Sequence, residues 1–216
     1  MTMLPPFLQG NNLHKVCLIL EGYEEEYYFK KILEFPCFKG TYEIKPINAK
    51  TASNIPAIYQ QEYSKNKHEI VLVVCDKDRK PEQYEKVMSG IDSILGPEKA
   101  KEVVIFTSPC TLQVILSHFD EVSLTTQAKK AARPIVKALT GVDGYDAHKD
   151  QLDTICKQIH WNTYSKMKER IGKLSTNPDM IPSTNMLTLL DRLETQDAGW
   201  ISEINARLTA NEDDDE

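Results

Sequence analysis

The sequence predicts an α/β protein: a doubly wound, mainly parallel sheet followed by a C-terminal α-helical extension. Three observations predict it. Continuous apolar runs rich in β-branched residues recur through the first half, segments with helical spacing separate them, and the strand pattern stops after about residue 120. Runs that are apolar at every position suit strands covered on both faces, and their alternation with helices implies right-handed crossovers.

The elements follow in order. His14 to Leu20 (HKVCLIL) is the first strand, closed by Glu21-Gly22. Tyr23 to Phe35 carries Tyr28, Ile32 and Phe35 at helical spacing, with Phe29 and Leu33 one position on. Its first turn is acidic, which favours the positive end of the helix dipole, and Pro36 stops it. Tyr42 to Ile47 reads as a strand, Ser53 to Ser64 as a helix, and Glu69 to Cys75 (EIVLVVC) as the clearest strand of all. A helix from Pro81 to about Leu95 follows, with proline suited to the first turn. Gly96-Pro97 breaks the chain before the strand Glu102 to Phe106, and Thr107-Ser108-Pro109 turns it into an apolar helix, Leu112 to Phe119. Thr126 to Leu139, Lys149 to Leu174 and Thr184 to Leu208 read as helices with no further strand. The expected organisation is an α/β domain over residues 12–122, a helical extension packed on it over 123–209, and an acidic tail at 210–216 too charged to fold.

Composition narrows the function classes. A hydrophobic content of 41% and a charged content of 27% are ordinary for a globular chain of 216 residues. No apolar run reaches the roughly 18 residues of a membrane span. Met1 to Asn12 shows no basic stretch followed by a long apolar one, so no signal peptide is expected. Five cysteines, an odd number without a CxxC pair, suggest neither zinc nor a disulfide framework; a reducing cytoplasm is the expected location. His14, His68, His148 and His160 lack zinc-ligand spacing, and His118 on an apolar helix reads as a hydrogen-bonded core residue. The net charge is −6, but Glu212 to Glu216 supply five of those negatives, leaving −1 for the rest. That balance neither favours nor excludes a nucleic-acid partner. No GxxxxGK[ST] occurs, so no nucleotide cofactor is expected.

Two strands end in acid. The first gives Glu21, with Glu24, Glu25 and Glu26 in the following turn; the third gives Asp76 and Asp78. In an open α/β sheet, ligands bind beyond the carboxyl ends of the strands, so parallel strands would bring both sets to one rim. Alternate residues of an extended segment point the same way, which lets Asp76 and Asp78 face one ion. An acid opening a helix and an Asp after a strand each have ordinary capping uses. Two acidic strand ends with a DxD point instead to a hard divalent cation, Mg²⁺ or Mn²⁺, because converging carboxylates repel each other without one.

These residues resemble a known family. Leu20-Glu21-Gly22, then Glu25 and Tyr28-Phe29, is similar to the first Toprim motif, an EGxxE with an aromatic pair in the helix; Cys75-Asp76-Lys77-Asp78-Arg79 is similar to the second, the DxD. Ser108-Pro109-Cys110 through His118-Phe119, and Gly144-Tyr145 to Lys149, resemble segments of RloB-like proteins. The resemblance covers roughly residues 14 to 150. It implies a Toprim-like, Rossmann-like fold and a metal-dependent nuclease akin to the OLD type. It also implies a role in bacterial defence against phage, beside an ATPase partner of the ABC or SMC kind. By the same resemblance, Glu21 is a general acid/base or metal ligand, Glu25 assists the metal, Asp76 and Asp78 bind it, and Lys149 steadies the phosphate. One position departs: the family usually carries Glu three residues after the proline, where this chain has Leu112, which puts a second metal in doubt.

Arg79, Lys129, Lys130 and Arg133 are the expected nucleic-acid contacts, with Lys137 on the same stretch and Lys166, Lys168, Arg170 and Lys173 as a second basic group. Trp161 and Tyr164 beside that group could stack bases, though core packing is the commoner use. A homo-oligomer is compatible with the sequence. Two other readings stand beside the nuclease: a catalytically inactive Toprim-fold binding or sensor subunit, and a receiver-like phosphoacceptor domain with Asp76 as acceptor and Thr107 and Ser108 after the fourth strand.

Overall fold

The computed structural model describes residues 13–77 and 81–210. Strands β1 (His14–Leu20), β2 (Tyr42–Asn48), β3 (Ile70–Asp76), β4 (Val104–Ser108) and β5 (Ser183–Thr184) form one sheet in the order β2-β1-β3-β4-β5. The first four are parallel, and β5 joins antiparallel through Thr107↔Thr184 and Ser108↔Ser183. The molecule is therefore α/β, with a five-stranded, mostly parallel sheet flanked by helices.

Sequence sets which strands are central. Val16 to Leu20 and Leu72 to Cys75 are fully buried, as runs without polar positions must be. β2 (YEIKPIN) mixes exposed and buried positions and contains Pro46, which lacks the N–H an inner strand would need; it lies at the sheet edge. The chain leaves β1 towards β2 by way of α1 (Tyr23–Ile32), then returns past β1 to β3 by way of α2 (Ile55–Ser64). The winding direction reverses there, so β1 and β3 flank the topological switch point of the sheet.

The remaining helices are α3 (Pro81–Leu95), α4 (Ala100–Val103), α5 (Leu112–Leu116), α6 (Lys129–Thr140), α7 (Lys149–Lys157), α8 (Trp161–Ile171), α9 (Met186–Glu194) and α10 (Gly199–Thr209). Several sequence expectations need correction. The long helix expected over Lys149 to Leu174 is two, α7 and α8, separated before His160. Thr184 to Leu208 is likewise split into α9 and α10. The first helix stops at Ile32, three residues short of Phe35. The fourth strand runs Val104–Ser108 because residues 100–103 form a helical turn. The strand at Ser183–Thr184 was not expected at all: two hydroxyl residues carry no apolar pattern.

Side chains reinforce the pairing of β5 with β4. Thr184 Oγ1 donates to the Phe106 carbonyl at 2.7 Å. Asn185 accepts from Phe106 N–H at 2.7 Å and donates to the Val104 carbonyl at 3.2 Å, so its amide prolongs the ladder of β4. The helices beyond residue 120 share the core of the sheet: Leu18 and Leu72 belong to the same buried cluster as Ile155 and Leu190. Tyr42 on β2 accepts from Trp200 Nε1 at 2.8 Å and donates to the Asp197 carbonyl at 3.1 Å, which ties α10 to the edge strand. His118 is buried between Thr163 Oγ1 at 3.1 Å and Tyr28 Oη at 3.3 Å. Burial, reinforced by Arg170, depresses its imidazole to about 3, so it is a neutral core group. The five cysteines are all free thiols. Among the described residues no helix is long and apolar enough to cross a membrane.

One buried carboxylate lies away from the strand ends. Glu62 on α2 meets Lys65 at 2.6 Å, His68 at 3.2 Å and Lys45 at 3.4 Å. Lys65 first, then His68 and Lys45, hold its pKa at about 2 against the opposing effect of burial.

Two outcomes are expected. Asn185→Ala strands an N–H and a carbonyl of β4 and should lower the unfolding free energy by about 1–3 kcal/mol in urea titration; an unchanged midpoint contradicts the bracing role. Glu62 has a lower folded than unfolded pKa, so its stabilisation is complete above pH 4.5 and is lost as pH falls towards about 2. Melting temperatures between those pH values should therefore fall more steeply in the wild type than in Glu62→Gln; parallel curves contradict this.

Candidate metal centre

Parallel pairing of β1 with β3, in the register Leu20↔Val74, puts the residues that follow them side by side. Glu21 N–H continues the ladder to the Val74 carbonyl at 3.0 Å, and Asp76 N–H donates to Glu21 Oε2 at 2.9 Å. The two acids, 55 positions apart in sequence, thus share a hydrogen bond. On its other side Lys77 N–H reaches the Thr107 carbonyl of β4 at 2.9 Å, which fixes the backbone around Asp76. Asp76 Oδ1 accepts from both Thr111 N–H at 2.8 Å and Thr111 Oγ1 at 3.0 Å.

Glu25 arrives from α1. It is the third residue after the N-cap Gly22, and its Oε2 accepts Gly22 N–H at 2.8 Å, the backbone-capping use of a glutamate there. The same side chain is 2% exposed, and its Oε1 is buried with no hydrogen-bond partner. Glu24 is also buried; it pairs with Lys129 of α6 and accepts from Tyr145 Oη at 2.6 Å. Glu26 turns to the β2 rim, where Asn48 Nδ2 donates to it.

Glu21, Glu24, Glu25 and Asp76 line one cavity of about 190 Å³ with Lys50, Lys129 and Ala147. Burial first, then the charges of Glu25, Glu21 and Glu24, push the Asp76 carboxyl well above the usual range; Lys129 opposes this. Burial, then the charge of Glu24, push Glu25 up as well. Lys50 and Ala147 have φ of 70° and 61°, left-handed conformations uncommon for residues with a Cβ. Two such residues on one cavity are the kind of local strain that accompanies functional sites.

Of the expected site residues, Glu21, Glu25 and Asp76 converge here. Asp78 and Arg79 lie outside the described residues. Lys149 opens α7 at the periphery, its Nζ 4.4 Å from the centre of the Tyr23 ring, and Tyr23 is itself a wall of the cavity. Lys129 is inside the cavity, Lys130 is exposed, and Arg133 is committed to the Tyr145 carbonyl and Asp146. In the second basic group Lys168 pairs with Glu194 and Asp191, Arg170 donates to the Ser117 carbonyl at 2.7 Å, and Lys173 lies 3.6 Å from Glu121. Tyr164 is core, while Trp161 stacks on it with one face exposed.

Sequence reasoning placed Glu24 on this rim without a role of its own, and missed Thr111, Tyr145 and Cys110 as members of this cluster. Glu24, Asp76 and Cys110 each bring one ligand-type atom within 4.8 Å of the others. The usable signal was the rim itself, because Cys110 and Thr111 follow β4, the parallel neighbour of β3.

The donor set suits a hard cation. Three carboxylates from two strand ends and one helix converge, one oxygen is buried without a partner, and Mg²⁺ or Mn²⁺ is held by such oxygens. Burial, then Glu24 and Asp76, push the Cys110 thiol well above its ordinary range, and Mg²⁺ and Mn²⁺ prefer oxygen to sulfur as a ligand. Leu112, 1% exposed, offers no donor, and the neighbouring Gln113 spends its amide on the Val122 carbonyl and Leu124 N–H.

No family model matches the chain, and no curated protein or solved structure matches it.

Asp76→Asn removes one repelling charge and leaves an amide oxygen for Thr111. Without divalent ions its melting temperature should equal or exceed that of the wild type, and Mg²⁺ should raise it less than it raises the wild type. A variant that loses several degrees without metal, or responds to Mg²⁺ fully, contradicts the assignment.

Proposed function

We propose that the chain is a Toprim-type, Mg²⁺- or Mn²⁺-dependent phosphodiesterase that cuts nucleic acid. The observation that carries this reading is the meeting of Glu21, Glu25 and Asp76 at the switch point, with one Glu25 oxygen buried and unpartnered. Ligand sites of open α/β sheets belong at that place. The EGxxE and DxD resemblance supports the same residues.

Glu21, Glu25 and Asp76 would hold the ion, with Asp78 from the DxD. A bound divalent ion lowers the pKa of water and neutralises charge on a phosphoryl group. The protein's own groups do the rest. Glu21, partly exposed and oriented by the Asp76 N–H, takes the proton of the attacking water. Thr111 fixes the Asp76 carboxylate through two hydrogen bonds. Lys129, inside the cavity, meets the scissile phosphate; Lys149 lies further out and tracks the strand with Lys130. Arg79 and Arg133 are secondary backbone contacts in this reading. The resemblance adds a role as effector in abortive infection, in the cytoplasm, beside an ABC- or SMC-like ATPase partner.

A second reading, a Toprim-fold binding subunit without catalysis, is favoured by buried Leu112 where the family usually has Glu. The receiver-like reading fits less well. Receivers share the order 2-1-3-4-5, but here the fifth strand is antiparallel and two residues long.

Cleavage of single- and double-stranded DNA and RNA, with Mg²⁺ or Mn²⁺ and with or without the ATPase, tests the proposal. Metal-dependent cutting is expected, and Glu21→Gln or Asp76→Asn should reduce it by roughly 100-fold or more. Metal binding without cleavage of any substrate supports the binding subunit, and cleavage retained in both variants removes the site assignment.

A further inference from the structure

A second cavity, of about 390 Å³, opens at the opposite end of the sheet, where β3 begins. That volume is within the range of small-molecule pockets, roughly 300–1,000 Å³. Ile70 at the start of β3 and Leu208 of α10 give it apolar walls, and Tyr59 and Tyr63 of α2 line another side. The two tyrosine rings are stacked, with centroids 5.8 Å apart and planes 17° from parallel. Tyr63 is 43% exposed, so an aromatic face remains accessible. Tyr59 is fully buried, and its hydroxyl has no hydrogen-bond partner. That hydroxyl is closed off from the cavity, so the tyrosines offer a ligand their rings and not this oxygen. Asn66 and Asn205 add amides that both donate and accept.

Charge defines the ligand. No lysine or arginine is among the described residues lining the cavity, while Glu69 is, its carboxylate held by His14 and the Lys15 N–H. A phosphate would meet an acid and no cation. Beside His68, the cluster Cys17, Glu62 and His68 has the donor types of a zinc site. There, however, two lysines already balance Glu62, and burial pushes the Cys17 thiol up to about 12. An added cation would find its charge already matched.

We propose that this cavity binds an uncharged planar heterocycle of nucleoside size: a base that stacks on Tyr63 and hydrogen-bonds to the amides of Asn66 and Asn205, with no phosphate attached. The site is separate from the acidic rim and does not depend on the metal reading. Ile70 and Asp76 are opposite ends of the same strand, about 20 Å apart at the rise of a β-strand.

Calorimetric titration of the full chain with adenosine, paired with saturation-transfer NMR, tests the proposal. Adenosine should bind, and adenosine 5′-monophosphate should bind no more tightly. Tyr63→Ala, at an exposed position, should weaken adenosine by at least about 5-fold through lost stacking. Asn66→Gly, which keeps the left-handed backbone of φ 48° and removes the amide, should weaken it roughly 2- to 10-fold. Three results overturn the proposal: no heat and no saturation transfer with millimolar adenosine, unchanged affinity in both variants, or tighter binding of the monophosphate.

Discussion

The structure depends on the side-by-side parallel pairing of β1 and β3 at the point where the chain reverses its winding direction. That pairing brings Glu21 against the Asp76 N–H, and the helix that follows β1 swings Glu25 and Glu24 over the same spot. The core supports the arrangement from below: both strands are buried along their inner length, so their carboxyl ends have little freedom to separate. Thr111, following the next parallel strand, holds Asp76 from the other side. Four carboxylates in about 190 Å³ is an arrangement that folding alone would not favour.

Neighbours partly balance that charge. Lys129 reaches in from α6 to Glu24, and Tyr145 adds a hydrogen bond to the same carboxylate. The compensation is local to Glu24, since Asp76 and Glu25 are still pushed to raised pKa values by burial and by one another. Helices beyond residue 120 therefore contribute to the site as well as to the core: α6 supplies the lysine, and the loop before α7 supplies Tyr145.

Much of this was legible in the sequence. His14 to Leu20 could be read to the residue, because five apolar positions, Val16 to Leu20, end abruptly at Glu21-Gly22. The rim carrying Glu21, Glu25 and Asp76 followed from two acidic strand ends and the rule for parallel sheets. What escaped had weak local signals. Ser183–Thr184 pairs with β4 and is braced by the side chains of Thr184 and Asn185, which no periodicity records. The break between α7 and α8 is a short non-helical interruption within a continuous amphipathic pattern. Glu24 looked like a dipole-favoured acid in a first turn, and only the tertiary approach of Lys129 and Tyr145 gives it another use. Cys110 and Thr111 needed the strand order, which places β4 beside β3.

The central claim is that the converging carboxylates hold a divalent ion. Crystals soaked in Mn²⁺ and measured at its absorption edge test it most directly. One anomalous peak is expected in the cavity, at coordination distance, about 2.1–2.2 Å, from oxygens of Glu21, Glu25 and Asp76. A cavity without a peak at saturating Mn²⁺, or a peak bound elsewhere while Glu25 Oε1 stays unligated, contradicts it.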